Sequence, residues 1–129
     1  MHYLVGTDSV HTMAAACDYL DDRATAEDTV TVIAAAPADD PPARRDGQEA
    51  LNVAPVRLAT VGEVETALRS GPPAETLREA AAEHEVDEIV VGAHSGDPEA
   101  TRELGSTARR LLAAASRPVV VVPIPDLSG

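Results

Sequence analysis

Lysine, tryptophan and phenylalanine are missing from this chain, and tyrosine and cysteine are nearly so. With only Tyr3 and Tyr19 to supply rings, a core has to be assembled from valine, leucine, isoleucine and alanine. Cys17 is the single cysteine, which excludes an internal disulfide. Its setting, AAACDYL, reads as a small buried thiol on a helix rather than a nucleophile. No apolar run reaches the roughly 18 residues of a membrane-spanning helix. The first residues, MHYLVGTDS, carry a short apolar run and no basic flank, so no secretory signal is expected and the protein is read as cytoplasmic.

Cations are scarce as well. Ten basic residues, all arginine, face 22 Asp and Glu, for a formal net charge of −12. A surface of that sign repels phosphodiester backbones and anionic lipid, so neither nucleic acid nor membrane is expected as a partner. Acidic chains poor in aromatics are often disordered, but here 44% of residues are hydrophobic and they fall in ordered blocks. The acidity is therefore read as a solvated coat for a cytoplasm of high salt, where screening weakens self-repulsion. At 129 residues the chain is long enough for one domain with a core and too short for two. That domain is expected over residues 1–125, with 126–129 as a frayed tail.

The hydrophobic blocks alternate in type. Residues 2–6, HYLVG, form a short apolar strand, and Asp8 or Ser9 can cap a helix in which Met13, Ala16, Cys17 and Leu20 recur at helical spacing. Residues 29–36, TVTVIAAA, are β-branched and almost continuously apolar, the pattern of a strand covered on both faces. Residues 41–60 have helical stretches interrupted by Pro55, so either one helix kinks there or a second begins. A strand at 63–68 ends at Ser70-Gly71, and Pro72-Pro73 opens a helix with Ala74, Leu77, Ala81 and His84 along one side. Residues 86–92 then give a fourth strand, a small and polar loop leads to a helix beginning near Gly105-Ser106, and residues 118–124, PVVVVPI, close the chain as a fifth strand. The order β-α-β-α-β-α-β-α-β implies a single-domain α/β fold: an open five-stranded parallel sheet with helices on both faces.

Ligands of such sheets sit outside the C-terminal strand ends, where the strand order reverses. Two segments place polar groups there, Gly6-Thr7-Asp8-Ser9 after the first strand and the loop from Gly92 to Thr107 after the fourth. If those strands are neighbours, both segments border one crevice. A glycine loop followed by a helix N-terminus offers close backbone approach, unpaired N–H donors and a positive dipole end to an anion.

At these positions the sequence resembles the universal stress proteins. Gly92, Ala93-His94, Ser95, nine residues and Gly105-Ser106 follow that family's Gly-x-x-Gly, nine residues, Gly-Ser/Thr pattern after strand four. Gly71-Pro-Pro-Ala-Glu-Thr-Leu is similar to its turn into helix three, and Val86-Asp-Glu-Ile-Val-Val-Gly92 to its fourth strand. Leu4-Val-Gly-Thr-Asp8 and Arg117-Pro-Val-Val-Val-Val-Pro123 resemble its first and last strands. The resemblance covers nearly the whole chain and is weakest over residues 38–60. It implies a Rossmann-like sheet of order 3-2-1-4-5 and binding of ATP or AMP, with Mg²⁺ as an accompanying ion. Asp8, with Thr7 beside it, then hydrogen-bonds the ribose or adenine end, and Ala35 offers backbone contacts to adenine. Gly92 and Ala93 line the pocket, while Ser95, Gly105, Ser106 and Thr107 hold phosphates. It also implies a homodimer paired edge to edge through residues 118–124, an otherwise unpaired apolar strand.

One position departs from the family pattern: its second glycine is Ser95 here. Asp97, Glu99 and Glu103 also put three acids against the single Arg102 in the same loop. A turn that has lost its ligand is thus the competing reading of this loop, and helix capping the competing role for Asp8. Other chemistries find little support. A phospho-acceptor aspartate has no lysine to accompany it. Asp8, His94 and Ser95 lack the Gly-x-Ser-x-Gly elbow of a hydrolase, and His2, His11, His84 and His94 lack metal-ligand spacing. Arg109-Arg110 reads as a solvated helix face. The expected function is an adenine-nucleotide-binding sensor or regulator of the stress response without dedicated catalysis. A ligand-free dimeric scaffold and a nucleotidyl hydrolase or transferase of the same fold are the alternatives.

Overall fold

The computed structural model describes residues 1–94 and 104–124. Five strands, β1 (His2–Thr7), β2 (Thr29–Ala35), β3 (Glu63–Arg69), β4 (Glu88–Gly92) and β5 (Val119–Val122), lie all parallel in the order β3-β2-β1-β4-β5. Between them run α1 (Val10–Asp21), α2 (Pro41–Arg57), α3 (Pro73–His84) and α4 (Ser106–Ala114). The expected architecture and strand order are both observed.

Side chains of successive strand residues point to opposite faces, and the two cores divide on that alternation. Tyr3, Val5, Val30, Val32 and Val90 pack with Met13, Cys17 and Leu20 of α1 and Ala50 and Leu51 of α2. Leu4, Ile33, Ile89 and Val91 pack with Leu77, Ala80 and Ala81 of α3 and Leu111 of α4. Both faces of the central strands are thus dry, which is why β2 and β4 read as continuous apolar runs rather than alternating ones. Each fully buried aliphatic side chain contributes about 1.5–3 kcal/mol. Alanines supply much of the remaining contact: Ala15, Ala16, Ala50, Ala54, Ala80 and Ala81 are all buried, and their short side chains let helices sit close to the sheet.

Local signals account for most element ends. Ser9 caps α1 by accepting from the Thr12 N–H, and Asp40 caps α2 by accepting from the Ala43 N–H. Pro55 neither splits α2 nor starts another helix. It lies in the last turn, where its missing N–H forfeits a single intrahelical bond, and Leu58 then closes the helix onto the Ala54 carbonyl at 2.9 Å. Glu85 ends α3 in the left-handed region (φ 50°), with its N–H turned back to the Ala81 and Ala82 carbonyls. Tyr19 fastens α1 to β4 by donating to Glu88 at 2.7 Å. Burial first, and then that bond to a carboxylate, push the Tyr19 phenol up to about 12.

The two sheet edges differ. On β3 the residues Glu63, Glu65 and Thr66 are exposed, and charges there discourage pairing with another chain. On β5 the half-buried Val119, Val120 and Val121 present an apolar edge.

Cys17 is buried in the α1 core, and burial pushes its thiol up to about 11. The native protein is therefore expected to resist iodoacetamide at about pH 8, since the reactive thiolate is both scarce and covered. Labelling should track global unfolding along a denaturant series. Reaction at the rate of a free thiol without denaturant would contradict this packing.

Candidate functional site

The chain winds from β1 outward through β2 to β3, then returns to the other side of β1 as β4 and continues to β5. The reversal splits the C-terminal ends of β1 and β4, and a cavity of about 210 Å³ opens there. Thr7 and Asp8 form one wall, and Gly92 and His94 face them from the end of β4. Ser106 and Thr107 of α4 close a third side, while Ile33, Ala35, Leu77 and Val91 give an apolar floor and flank. A Cβ on Gly6 would lie 2.5 Å from Leu77 Cδ1, so the glycine both admits α3 against β1 and keeps the floor low.

The β1 wall is held by a hydroxyl network. The buried Thr12 donates its hydroxyl proton to Asp8 Oδ1 at 2.8 Å. Thr12 Oγ1 also accepts from the Asp8 and Ser9 amides at 3.3 and 3.2 Å, and lies 2.7 Å from Thr7 Oγ1. Ser9, not Asp8, is the cap of α1. The Asp8 carboxylate is instead an exposed group steadied from below, with one oxygen committed to Thr12. Capping is therefore not its role.

The opposite wall is built on backbone. The Ala93 N–H donates to the Val122 carbonyl at 2.8 Å and the Ala93 carbonyl accepts from the Gly105 N–H at 2.7 Å, so the chain beyond β4 is clasped to both β5 and the start of α4. Ala93 thereby spends both backbone groups on that clasp, and it does not line the cavity. Gly105 makes the close approach possible, since a Cβ there would stand 3.2 Å from the His94 Cα. As the N-cap residue of α4 it has no side chain to offer, and its carbonyl accepts from the Arg109 N–H at 3.1 Å. The N–H groups of Ser106, Thr107 and Ala108 lie in a first turn that the helix itself cannot satisfy, and all three residues line the cavity. Whereas α1 and α2 carry side-chain caps, α4, like α3, has none among the described residues.

The structure thus brings Thr7, Asp8, Ala35, Gly92, Gly105, Ser106 and Thr107 to one crevice. Ser95 lies outside the described residues, as do Asp97, Glu99, Arg102 and Glu103. Thr12, Ile33, Pro73 and Leu77 also line the crevice, and sequence reasoning did not single them out for it. Thr12 had a local signal, standing three residues after a capping serine. Ile33 shares a strand face with Ala35 by period two. Pro73 and Leu77 reach the site only through the packing of α3. Among the described lining residues the titratable groups are Asp8 and His94, with no arginine beside them. Among the described residues no group of three or more His, Cys, Asp and Glu stands ready to hold a metal ion.

A sequence model described as the universal stress protein family matches residues 1–123. The fold is similar to that of a universal stress protein in complex with cAMP, at a TM-score of 0.68 and 22% identity over 97% of this chain and 98% of the other. It is similar to a universal stress protein family protein from Arabidopsis thaliana with AMP bound, at 0.70 and 14% over 97% and 92%. The universal stress protein from Archaeoglobus fulgidus in complex with dAMP superposes at 0.69 with 21% identity over 95% and 97%. At these identities the likeness is one of fold. No curated protein matches the chain.

The Thr12 network makes a testable demand on stability. Thr12→Val keeps the shape but removes the hydroxyl from Thr7, Asp8 and Ser9, and is expected to lower the unfolding free energy by about 1–3 kcal/mol. Asp8→Ala, at an exposed side chain, is expected to cost less than about 1 kcal/mol. Urea midpoints for the two variants check the order, and equal midpoints would show that the network carries no weight.

Proposed function

The chain belongs to the universal stress protein family, and we propose that its crevice binds an adenine nucleotide, ATP or AMP, as a sensor or regulator of the stress response in the cytoplasm. The observation that carries this reading is the first turn of α4, which no described side chain caps and which borders, with Gly105, a cavity whose other wall holds Asp8. Three amide donors and two hydroxyls, Ser106 and Thr107, suit a phosphate. The flat apolar surfaces of Ile33, Ala35, Leu77 and Val91 suit a purine, with the β2 end offering backbone groups beside it. Asp8, fixed by Thr12, suits a ribose hydroxyl, to which a carboxylate is a strong acceptor. That proteins of the same fold are described with cAMP, AMP and dAMP supports the assignment.

Charge decides what else the ligand needs. Among the described residues that line the crevice there is no arginine, and the loop that follows in sequence carries Asp97, Glu99 and Glu103 beside Arg102. A triphosphate there has to be held beside the Asp8 carboxylate, so ATP is taken with Mg²⁺ or in high salt, whereas AMP brings less charge. Dedicated catalysis is not proposed, because the sequence holds no lysine to accompany Asp8. The test is a titration of the chelator-treated protein with AMP and with ATP–Mg²⁺ in high salt. Saturable binding is expected, and Gly105→Val, which drives a side chain against the His94 backbone, is expected to abolish it with the fold intact by circular dichroism. No binding at about millimolar concentration, the weak end of ordinary affinities, would leave the ligand-free scaffold instead.

The same reading pairs two copies through β5 as a C2 homodimer. Its half-buried valines form the apolar edge, while the glutamates of β3 guard the other. The acidic coat is taken as an adaptation to salt. A sedimentation series from about 0.1 M to about 1 M KCl, over which the screening length falls from about 10 to about 3 Å, is expected to show a dimer, with a melting temperature that rises along the series. A monomer at the high-salt end would overturn the pairing, and a flat or falling melting temperature would overturn the salt reading.

A further inference from the structure

Away from the crevice, at the opposite end of the sheet, three elements bring together side chains that the sequence keeps far apart. His2 begins β1, Glu65 lies on β3 and His84 is the last residue of α3. His2 Nε2 lies 2.7 Å from Thr31 Oγ1, and that hydroxyl donates to Glu65 Oε2 at 3.5 Å. The same carboxylate oxygen lies 3.9 Å from His84 Nδ1. The two imidazole centroids are 5.8 Å apart with their planes at 74°. Two imidazoles and a carboxylate are therefore neighbours, with the Thr31 hydroxyl linking His2 to Glu65.

We propose that His2, Glu65 and His84 form a binding site for a divalent transition-metal ion of the zinc type, with Thr31 supporting the carboxylate. Imidazole and carboxylate donors in a two-to-one ratio suit zinc and its neighbours rather than magnesium or calcium, which take oxygen. Among the described residues no set of three donors already stands within reach of one ion, so the ion draws the side chains in. For the His84–Glu65 pair the movement is small. Donors around a tetrahedral zinc stand about 3.4 Å from one another, against the 3.9 Å between His84 and Glu65. His84 and Glu65 are 31% and 48% exposed, so both can rotate without opening the core. On metal binding His2 Nε2 exchanges Thr31 Oγ1 for the ion, and the buried hydroxyl keeps its bond to Glu65. A water completes the fourth position, as in open zinc sites.

The backbones that carry the three donors are well held. The His2 N–H donates to Asp87 Oδ2 at 2.7 Å and its carbonyl accepts from the Asp87 N–H at 2.8 Å. His84 is followed at once by the left-handed Glu85 that closes α3. Glu65 is paired in register with Thr31. Ligands on rigid elements bind a metal at lower entropic cost than ligands on loops.

The test is calorimetric titration of Zn²⁺ into the untagged, chelator-treated full chain. One ion per chain is expected. His84→Gln and Glu65→Gln, both at partly exposed positions, should each weaken binding by roughly tenfold or more, and His2→Gln with His84→Gln should remove it. His11→Gln, on the far side of Ser9, should change nothing. Thermal melts of each variant show that the fold persists, and the two exposed variants keep the test open if the His2 substitution unfolds β1. Absence of binding, or weak multi-site binding that survives loss of both histidines, as carboxylates scattered over the surface would give, overturns the proposal.

Discussion

The position of β1 between β2 and β4 is the contact on which the rest of the molecule depends. Its residues pair on both sides, Leu4 with Thr31 and with Ile89, Val5 with Val32 and with Val90. That double pairing buries the strand's backbone groups and divides its side chains between two dry cores. It also creates the reversal of strand order that leaves a crevice at one end, because the crossovers on either side lead in opposite directions. A substitution that displaced β1 would remove core and crevice together.

A core without phenylalanine or tryptophan has to gain its packing from many small contacts. Valine and isoleucine fill the sheet, and alanines on the inner faces of the helices bring the layers close. Close layers have a consequence for glycine. At Gly6 the approach of Leu77 leaves no room for a Cβ, and at Gly105 the approach of the His94 backbone leaves little. The glycines that resemble a ligand-binding pattern are thus also demanded by packing. Packing and ligand approach make the same demand for a missing Cβ at these positions.

The two walls of the crevice illustrate different ways of holding a polar group. Asp8 is held by side chains, through a threonine that fills every role its hydroxyl has. The α4 wall is held by main chain, through Ala93 and its two carbonyl–amide bonds. The first arrangement leaves an anion facing outward and the second leaves donors facing inward. A ligand that is both hydroxylated and anionic fits that pair of walls, whereas a bare phosphate would leave Asp8 as an unfavourable neighbour.

Element types, their order and the parallel sheet were legible in the sequence, because hydrophobic period, turn residues and caps are local properties that survive in one dimension. Thr7, Asp8, Gly92 and Gly105-Ser106-Thr107 were legible too, since loops after alternate strands are where such folds place ligands. Pro55 misled only in part: its ring is costly inside a helix and cheap in the last turn, and the sequence could not say which turn was last. The role of Asp8 against that of Ser9, the backbone clasp at Ala93, and the contribution of Leu77 to the crevice were decided by the tertiary structure. So was the meeting of His2 with Glu65 and His84, which no spacing along the chain announces. Local patterns record what each residue does for its own segment. Which segments then meet depends on how strands pair and how helices lie across them, and those contacts are made only when the whole sheet closes.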